Sequence, residues 1–246
     1  MAEKINVSCT PVAKVSNAPE VGQQNSSFEG KTVLFDLDGT ILDTFMPILI
    51  SMRYATQKVL GKTIPDDILL EKVGQPLAVQ MEDFARDPDQ VEELLRVYRS
   101  HNEQDLGERS KPFPGIFDAI KELKARGACI GVVTSKRRKI ARGSLAYWDM
   151  LDIFDCFVGV EDSTEHKPDP EPLLVAMERL GADSATCVYV GDSPYDLQAA
   201  HSAHIANIGV TWGKFFSAED LLAQHPTKLI DSPNELLGAL QEILLK

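Results

Sequence analysis

Asp36 and Asp38 are the first residues in this chain whose types and spacing suggest chemistry. They directly follow the apolar run Thr32-Val33-Leu34-Phe35. In an extended strand, residues i and i+2 point to the same side, so both carboxylates face one crevice. Two neighbouring like charges oppose joint ionisation. Either a divalent cation sits between them, or one carboxyl stays protonated and serves as a general acid. Gly39 and Thr40 come next, and a glycine there lets the backbone approach a ligand closely and present its N–H. Taken alone, the same five residues could also form a surface loop with a carboxylate pair.

Three further segments carry reactive side chains. Thr134-Ser135-Lys136 follows the apolar pair Val132-Val133. A hydroxyl and backbone N–H groups at a strand-to-helix turn can cradle phosphate oxygens, or simply cap the helix. Lys167 lies in His166-Lys167-Pro168-Asp169-Pro170, where its ammonium could neutralise a carboxylate and a phosphate together or stand solvated in a loop. Asp192 ends the run Val188-Tyr189-Val190-Gly191, with Asp196 one helical turn later. Hard oxygen ligands of this kind suit Mg²⁺, which takes few protein carboxylates and completes its shell with water and phosphate. Arg137, Arg138 and Lys139 read as a solvated helix face. His201 and His204 stand at i and i+3 but lack a third ligand.

The elements that must position these groups alternate along the chain. Short apolar runs at 32–35, 128–133, 186–190 and 205–210 read as central strands of a parallel sheet covered on both faces. Helical patterns at 115–126, 137–147, 170–180 and 194–203 separate the later ones. Pro170 opens and Gly181 closes one of these helices, the usual asymmetry of helix ends. The expectation is a doubly wound α/β fold with active residues at strand C-terminal ends. From 45 to 109 only helical patterns occur: 45–60, 66–72, 76–86 and 89–106. This stretch is expected to be a helical insert over the crevice, joined to an α/β core of residues 29–44 and 110–246. Within it, Gly74-Gln75-Pro76 forms a loop between two helices, leaving the Gln75 amide free to hydrogen-bond a substrate.

Composition narrows the function classes. The 246 residues carry 25 Lys and Arg against 37 Asp and Glu, a formal charge of −12. Such a field disfavours nucleic acid and anionic membrane surfaces as partners. An anionic substrate then needs a bound cation or a local basic cluster. No apolar run is long enough for a transmembrane helix. Residues 1–28 mix Ser, Asn, Gln and Pro with single apolar residues and read as a flexible tail. The four cysteines form no C-x-x-C pair. They are expected to pack as reduced thiols, which points to a cytoplasmic setting.

Taken together, Asp36-Leu37-Asp38-Gly39-Thr40, Thr134-Ser135, Lys167-Pro168 and Gly191-Asp192-Ser193-Pro194-Tyr195-Asp196 resemble, in order, the four motifs of the haloacid dehalogenase (HAD) superfamily of phosphatases. The helical stretch after the first motif is similar to that family's helical cap. The resemblance covers roughly residues 30–246. It looks closest to the phosphoglycolate phosphatase and PpaX pyrophosphatase branches, through His166-Lys167-Pro168-Asp169-Pro170-Glu171-Pro172-Leu173, Val133-Thr134-Ser135-Lys136-Arg137-Arg138 and, near the end of the helical stretch, Tyr98-Arg99-Ser100-His101-Asn102. The resemblance implies a Rossmann-like core and a Mg²⁺-dependent enzyme acting on a small anionic phosphorylated metabolite. Asp36 would be the nucleophile that becomes an aspartyl-phosphate, and Asp38 the acid and then the base. Asp36, the Asp38 carbonyl and Asp192 would hold Mg²⁺, with Asp196 behind them. Gly39, Thr134, Ser135 and Lys167 would hold the phosphoryl group. Asp38 sets the chain apart from true dehalogenases, which carry another residue there. Inorganic pyrophosphate as substrate, or a non-catalytic phosphate-binding protein, are the alternatives.

Overall fold

The computed structural model describes residues 27–105 and 107–245. Eight strands and ten α-helices are defined among the described residues. Six strands form one parallel sheet: β1 (Thr32–Phe35), β4 (Cys129–Val133), β5 (Cys156–Val158), β6 (Cys187–Gly191), β7 (Ala206–Val210) and β8 (Lys228–Ile230). Their order is β5-β4-β1-β6-β7-β8. β1 sits in the middle, with Val33 opposite Ile130 on one side and Val188 on the other. The chain builds outward from β1 through β4 to β5, then returns to start β6 on β1's other edge. The β1–β6 boundary is therefore the topological switch point, where the crevice of an open α/β sheet opens.

Strict alternation along the strands divides the core into two layers. Val33, Phe35, Ile130, Val132, Val188 and Val190 face one side. They pack there against α5 (Ile116–Ala125), α6 (Arg138–Tyr147) and α10 (Leu236–Leu244). Leu34, Val133, Cys187 and Tyr189 face the other side, against α7 (Glu171–Leu180) and α8 (Pro194–Ser202). Covering both faces is why these strands read as unbroken apolar runs.

The helical stretch has a core of its own. α1 (Phe45–Leu60), α2 (Asp66–Leu70), α3 (Leu77–Glu82) and α4 (Pro88–Asn102) bury Leu49, Met52, Leu69, Met81, Leu94 and Leu95 together. α1 stops at Gly61, whose φ of 66° lets its N–H turn back to the Gln57 carbonyl. α4 starts on Asp87, whose carboxylate accepts from the Gln90 N–H, with Pro88 in the first turn. The stretch is entered through β2 (Leu42–Asp43) and left through β3 (Lys111–Pro112), which pair antiparallel. Entry and exit thus lie side by side, close to the C-terminal end of β1.

Several details depart from the sequence expectations. β5 and β8, each of three residues, and α10 were not anticipated, nor was the short α9 (Ala218–Leu222). Phe28, the last residue of the expected tail, is fully buried and donates its N–H to the Arg126 carbonyl. It belongs to the core, in one buried cluster with Ile116, Ile120 and Leu123 of α5. Apart from Ser27 and Phe28, the expected tail lies outside the described residues. Cys156 and Cys187 are buried free thiols, whereas Cys129, expected as a reduced thiol, is disulfide-bonded. No helix among the described residues is long and apolar enough to cross a membrane.

Candidate active site

The C-terminal ends of β1, β4 and β6 bring together side chains that are far apart in sequence. Asp36 is anchored by its N–H, which donates to the Val190 carbonyl at 2.9 Å and extends the β1–β6 ladder by one residue. Its carboxylate is nearly buried and accepts at Oδ1 from Lys167 Nζ at 2.9 Å. The Lys167 ammonium also reaches Asp196 Oδ1 at 2.6 Å and Tyr189 Oη at 3.1 Å. An ammonium has three protons, and three acceptors take them. The Tyr189 hydroxyl lies within hydrogen-bond reach of both the Val133 carbonyl and Asp196 Oδ1. Lys167 is therefore a fully satisfied buried cation fixed to three elements of the core.

Asp196 faces this cation because of how α8 begins. Ser193 caps the helix, its Oγ accepting from the Asp196 N–H, and Pro194 fits the first turn. In return Asp196 Oδ2 accepts from the Ser193 N–H and hydroxyl. Both carboxylate oxygens of Asp196 are thus engaged.

Asp192 is different. Its Oδ1 accepts from the Thr40 hydroxyl at 3.3 Å, while its buried Oδ2 has no hydrogen-bond partner among the described residues. Ligand oxygens of Asp36, Asp192 and Asp196 lie within 4.8 Å of one another. Gly39, at φ 82°, brings the backbone against this group, and a Cβ there or at Gly213 would overlap the Asp192 carboxylate. A buried carboxylate oxygen without a donor, beside a second carboxylate and a closely approaching backbone, fits a small hard cation. With Asp196 committed to Lys167 and Ser193, the side chains free to hold one are Asp36 and Asp192. The Asp38 carbonyl, the third ligand implied by the resemblance, accepts no hydrogen bond among the described residues.

The electrostatics agree with that geometry. Burial, together with Asp196 and Asp38, pushes the Asp36 carboxyl up from 3.8 to about 7 despite Lys167. Burial and then Asp36 push Asp192 well above the usual carboxylate range. Burial opposes the charge on Lys167, yet Asp196 and Asp36 outweigh it and hold the ammonium above its ordinary value. Without a cation, this pocket carries more negative charge than it can stabilise.

The remaining expected residues line one cleft between the helical stretch and the core. Asp38, Thr134, Ser135 and Gln75 all border it, with Asp36 and Asp192 at its floor. Thr134 donates its N–H to the Val158 carbonyl, and its Oγ1 accepts from the Lys136 N–H. The Ser135 N–H has no acceptor among the described residues, and its hydroxyl donates to the Gly74 carbonyl at 2.5 Å. Gln75 is held by its backbone, with Gln80 Nε2 on its carbonyl at 2.7 Å, so its side chain is not tied. Lys167 was expected to touch the phosphoryl group directly. The structure places its ammonium against Asp36, Asp196 and Tyr189.

Several participants were not singled out by sequence reasoning. Lys136 Nζ pairs with Asp38 Oδ1 at 2.6 Å. Its place directly after Thr134-Ser135 was the available signal. Arg137, expected to be solvated, forms an ion pair with Glu103 across the cleft. Tyr189 was read only as a strand residue, and nothing in an apolar run announces which hydroxyl will meet a buried lysine. Thr40 and Gly213 act through contacts with Asp192 that arise only on folding.

The model of the family described as haloacid dehalogenase-like hydrolase matches residues 33–210. The chain is 32% identical to Pyrophosphatase PpaX of Halalkalibacterium halodurans over 211 residues, covering 85% of this chain and 96% of that protein. It is 36% identical to a protein of Dickeya dadantii named Probable phosphatase IndB, covering 86% and 94%. A crystal structure from Lactobacillus delbrueckii subsp. bulgaricus, provisionally assigned as a phosphoglycolate phosphatase, superposes with a TM-score of 0.76 at 26% identity, covering 89% and 100%.

Proposed function

Because this chain belongs to the haloacid dehalogenase-like hydrolases, we propose that it is a Mg²⁺-dependent phosphatase acting on a small phosphorylated metabolite through an aspartyl-phosphate at Asp36. The observation that carries the proposal is the donor-free buried oxygen of Asp192 beside Asp36, whose Oδ1 is held by Lys167. Mg²⁺ bound by Asp36, Asp192 and the Asp38 carbonyl would supply the positive charge that the phosphoryl group and the carboxylates need.

The chain's own groups then divide the work. Lys167 orients Asp36 through Oδ1, leaving Oδ2 to attack phosphorus. As the P–O bond to the leaving group breaks, Asp38 gives that oxygen a proton. In the second half, Asp38 takes a proton from water, the water oxygen attacks phosphorus, and the bond to Asp36 breaks. Phosphate leaves and Asp36 is restored. Lys136 holds Asp38 at the cleft through Oδ1, so Oδ2 is the oxygen that handles the proton. The Ser135 N–H and Thr134 hydroxyl present donors to the transferring oxygens, where positioned dipoles contribute most to phosphoryl transfer. Lys167 contributes its charge from behind Asp36. Residues 45–109 act as a cap, with the Ser135–Gly74 hydrogen bond and the Arg137–Glu103 pair joining it to the core.

The test is turnover of a panel of phosphorylated metabolites by purified protein with Mg²⁺ and with excess chelator. Mg²⁺-dependent phosphate release supports the proposal. Full activity in chelator removes the metal assignment, and no release from any compound leaves a phosphate-binding protein. A second reading, hydrolysis of inorganic pyrophosphate, is favoured by the relatives named pyrophosphatase PpaX. The ratio of kcat/KM for pyrophosphate and for phosphoglycolate separates the two.

A further inference from the structure

The cations lining the cleft among the described residues are Lys136, Arg137 and Arg99. Lys136 is paired with Asp38 and Arg137 with Glu103. Arg99 forms no ion pair and no side-chain hydrogen bond among the described residues. This is unusual for the cap, where Arg53, Arg86 and Arg96 each hold a carboxylate. It is more unusual in a chain whose acidic residues outnumber basic ones by 37 to 25. An arginine kept apart from so many available carboxylates, at the wall of an anion-handling cleft, is placed to meet an anion from outside the chain. Its neighbour Tyr98 supports this. Tyr98 lines the same cleft, and its hydroxyl, without a hydrogen bond among the described residues, is open to it.

Both residues lie on α4, where Tyr98 packs with Leu94, Leu95 and Val97 in the cap core. The transferred phosphoryl group belongs at Asp36 on the opposite, core side of the cleft. We propose that Arg99, assisted by the Tyr98 hydroxyl, binds a second anionic group carried by the leaving group. The chain thereby selects small substrates with a carboxylate or a phosphate a few bonds from the phosphoryl that is removed. This assignment rests on the phosphatase reading for its catalytic consequence, but the anion subsite itself does not.

Two measurements separate them. The first compares kcat/KM for phosphoglycolate and pyrophosphate with that for 2-hydroxyethyl phosphate, whose leaving group is uncharged, in wild type, R99Q and R99K. R99Q should lower the ratio of charged to uncharged substrate by about tenfold or more, the loss expected for hydrogen bonds to a charged group. R99K, which keeps the charge but not the planar fork, should retain part of the preference. A loss confined to phosphoglycolate or to pyrophosphate names which anion is bound. The second uses titration calorimetry with Mg²⁺ to compare methylenediphosphonate with methylphosphonate. Wild type should bind methylenediphosphonate, with its two anionic groups, more tightly, and R99Q should erase most of that difference. If the binding preference is present and lost in R99Q but no substrate is turned over, the subsite stands and the phosphatase reading falls. If substrates are turned over and neither ratio changes in R99Q or R99K, Arg99 is not the anion site. Absence of any wild-type preference for the second anion overturns it equally.

Discussion

Raising the pH of the metal-free protein should lower its stability, and Mg²⁺ should reverse the loss. The cause is Asp36, whose carboxyl is pushed from 3.8 to about 7, chiefly by burial and against the opposing pull of Lys167. A folded-state value above the unfolded one means that the folded protein holds more protons between the two. The associated stability is complete below the unfolded value, shrinks as pH rises, and is lost once pH passes the folded value. Over the whole interval this corresponds to about 4 kcal/mol, of which about 3 kcal/mol is lost between about pH 5 and pH 8. Asp192, also raised by burial and by Asp36, acts in the same direction. For a protein of this size the loss amounts to a fall in Tm of about 5–10 °C. A cation held by Asp36 and Asp192 removes the penalty, and protons compete with it, so the Mg²⁺-induced rise in Tm should be larger near pH 8 than near pH 5. Thermal melts across that range, with chelator and with millimolar Mg²⁺, provide the assay. Asp36→Asn serves as the internal control, because it removes one titrating group and should reduce the slope, leaving the part that buried Asp192 contributes. A chelated Tm that stays flat or rises with pH, or a Mg²⁺ shift equal at both ends, would refute the reasoning.

Lys167→Met should cost about 3–5 kcal/mol in urea unfolding, since it strands Asp36 and Asp196 as buried carboxylates without their cation; a loss under about 1 kcal/mol would mean the ammonium is not what holds this network together. Asp38→Asn should slow release of poor leaving groups, which need a proton, far more than release of nitrophenolate, and equal losses would make Asp38 a site-shaping residue rather than an acid. Gln75→Ala should reduce kcat/KM about tenfold more for the preferred metabolite than for an aryl phosphate, whereas a uniform loss would assign the loop to cap closure. Phe28→Ala should destabilise the core by about 3 kcal/mol, and an unchanged Tm would place Phe28 outside it.

Much of this arrangement was legible because it depends on local rules. A strand covered on both faces must be apolar throughout, so β1, β4, β6 and β7 announced themselves, and the residue after each apolar run had to emerge at the crevice. Asp36, Thr134 and Asp192 follow from that alone. β5 and β8 did not, because three residues are too few to show a period and their burial comes from neighbouring strands. α10 left one unread signal, the Ser232 and Glu235 pair that caps the turn before it. In the site, types and order were readable but pairings were not. Lys167 could be named as a cation near acids. That its three protons go to Asp36, Asp196 and Tyr189 depends on β6 and α8 meeting behind β1. Arg99 was visible only within Tyr98-Arg99-Ser100-His101-Asn102, a segment of the family resemblance; that its guanidinium meets no carboxylate among the described residues was not, since packing between helices decides it.

The most direct test is to look for the phosphoryl group on Asp36. Rapid acid quench during steady turnover with Mg²⁺, followed by peptide mass analysis, should show the peptide containing Asp36 heavier by one phosphoryl group. The modification should be absent in Asp36→Asn and in chelator. Sustained turnover with no such adduct, or with the phosphoryl group on another residue, would contradict the assignment of Asp36 as nucleophile.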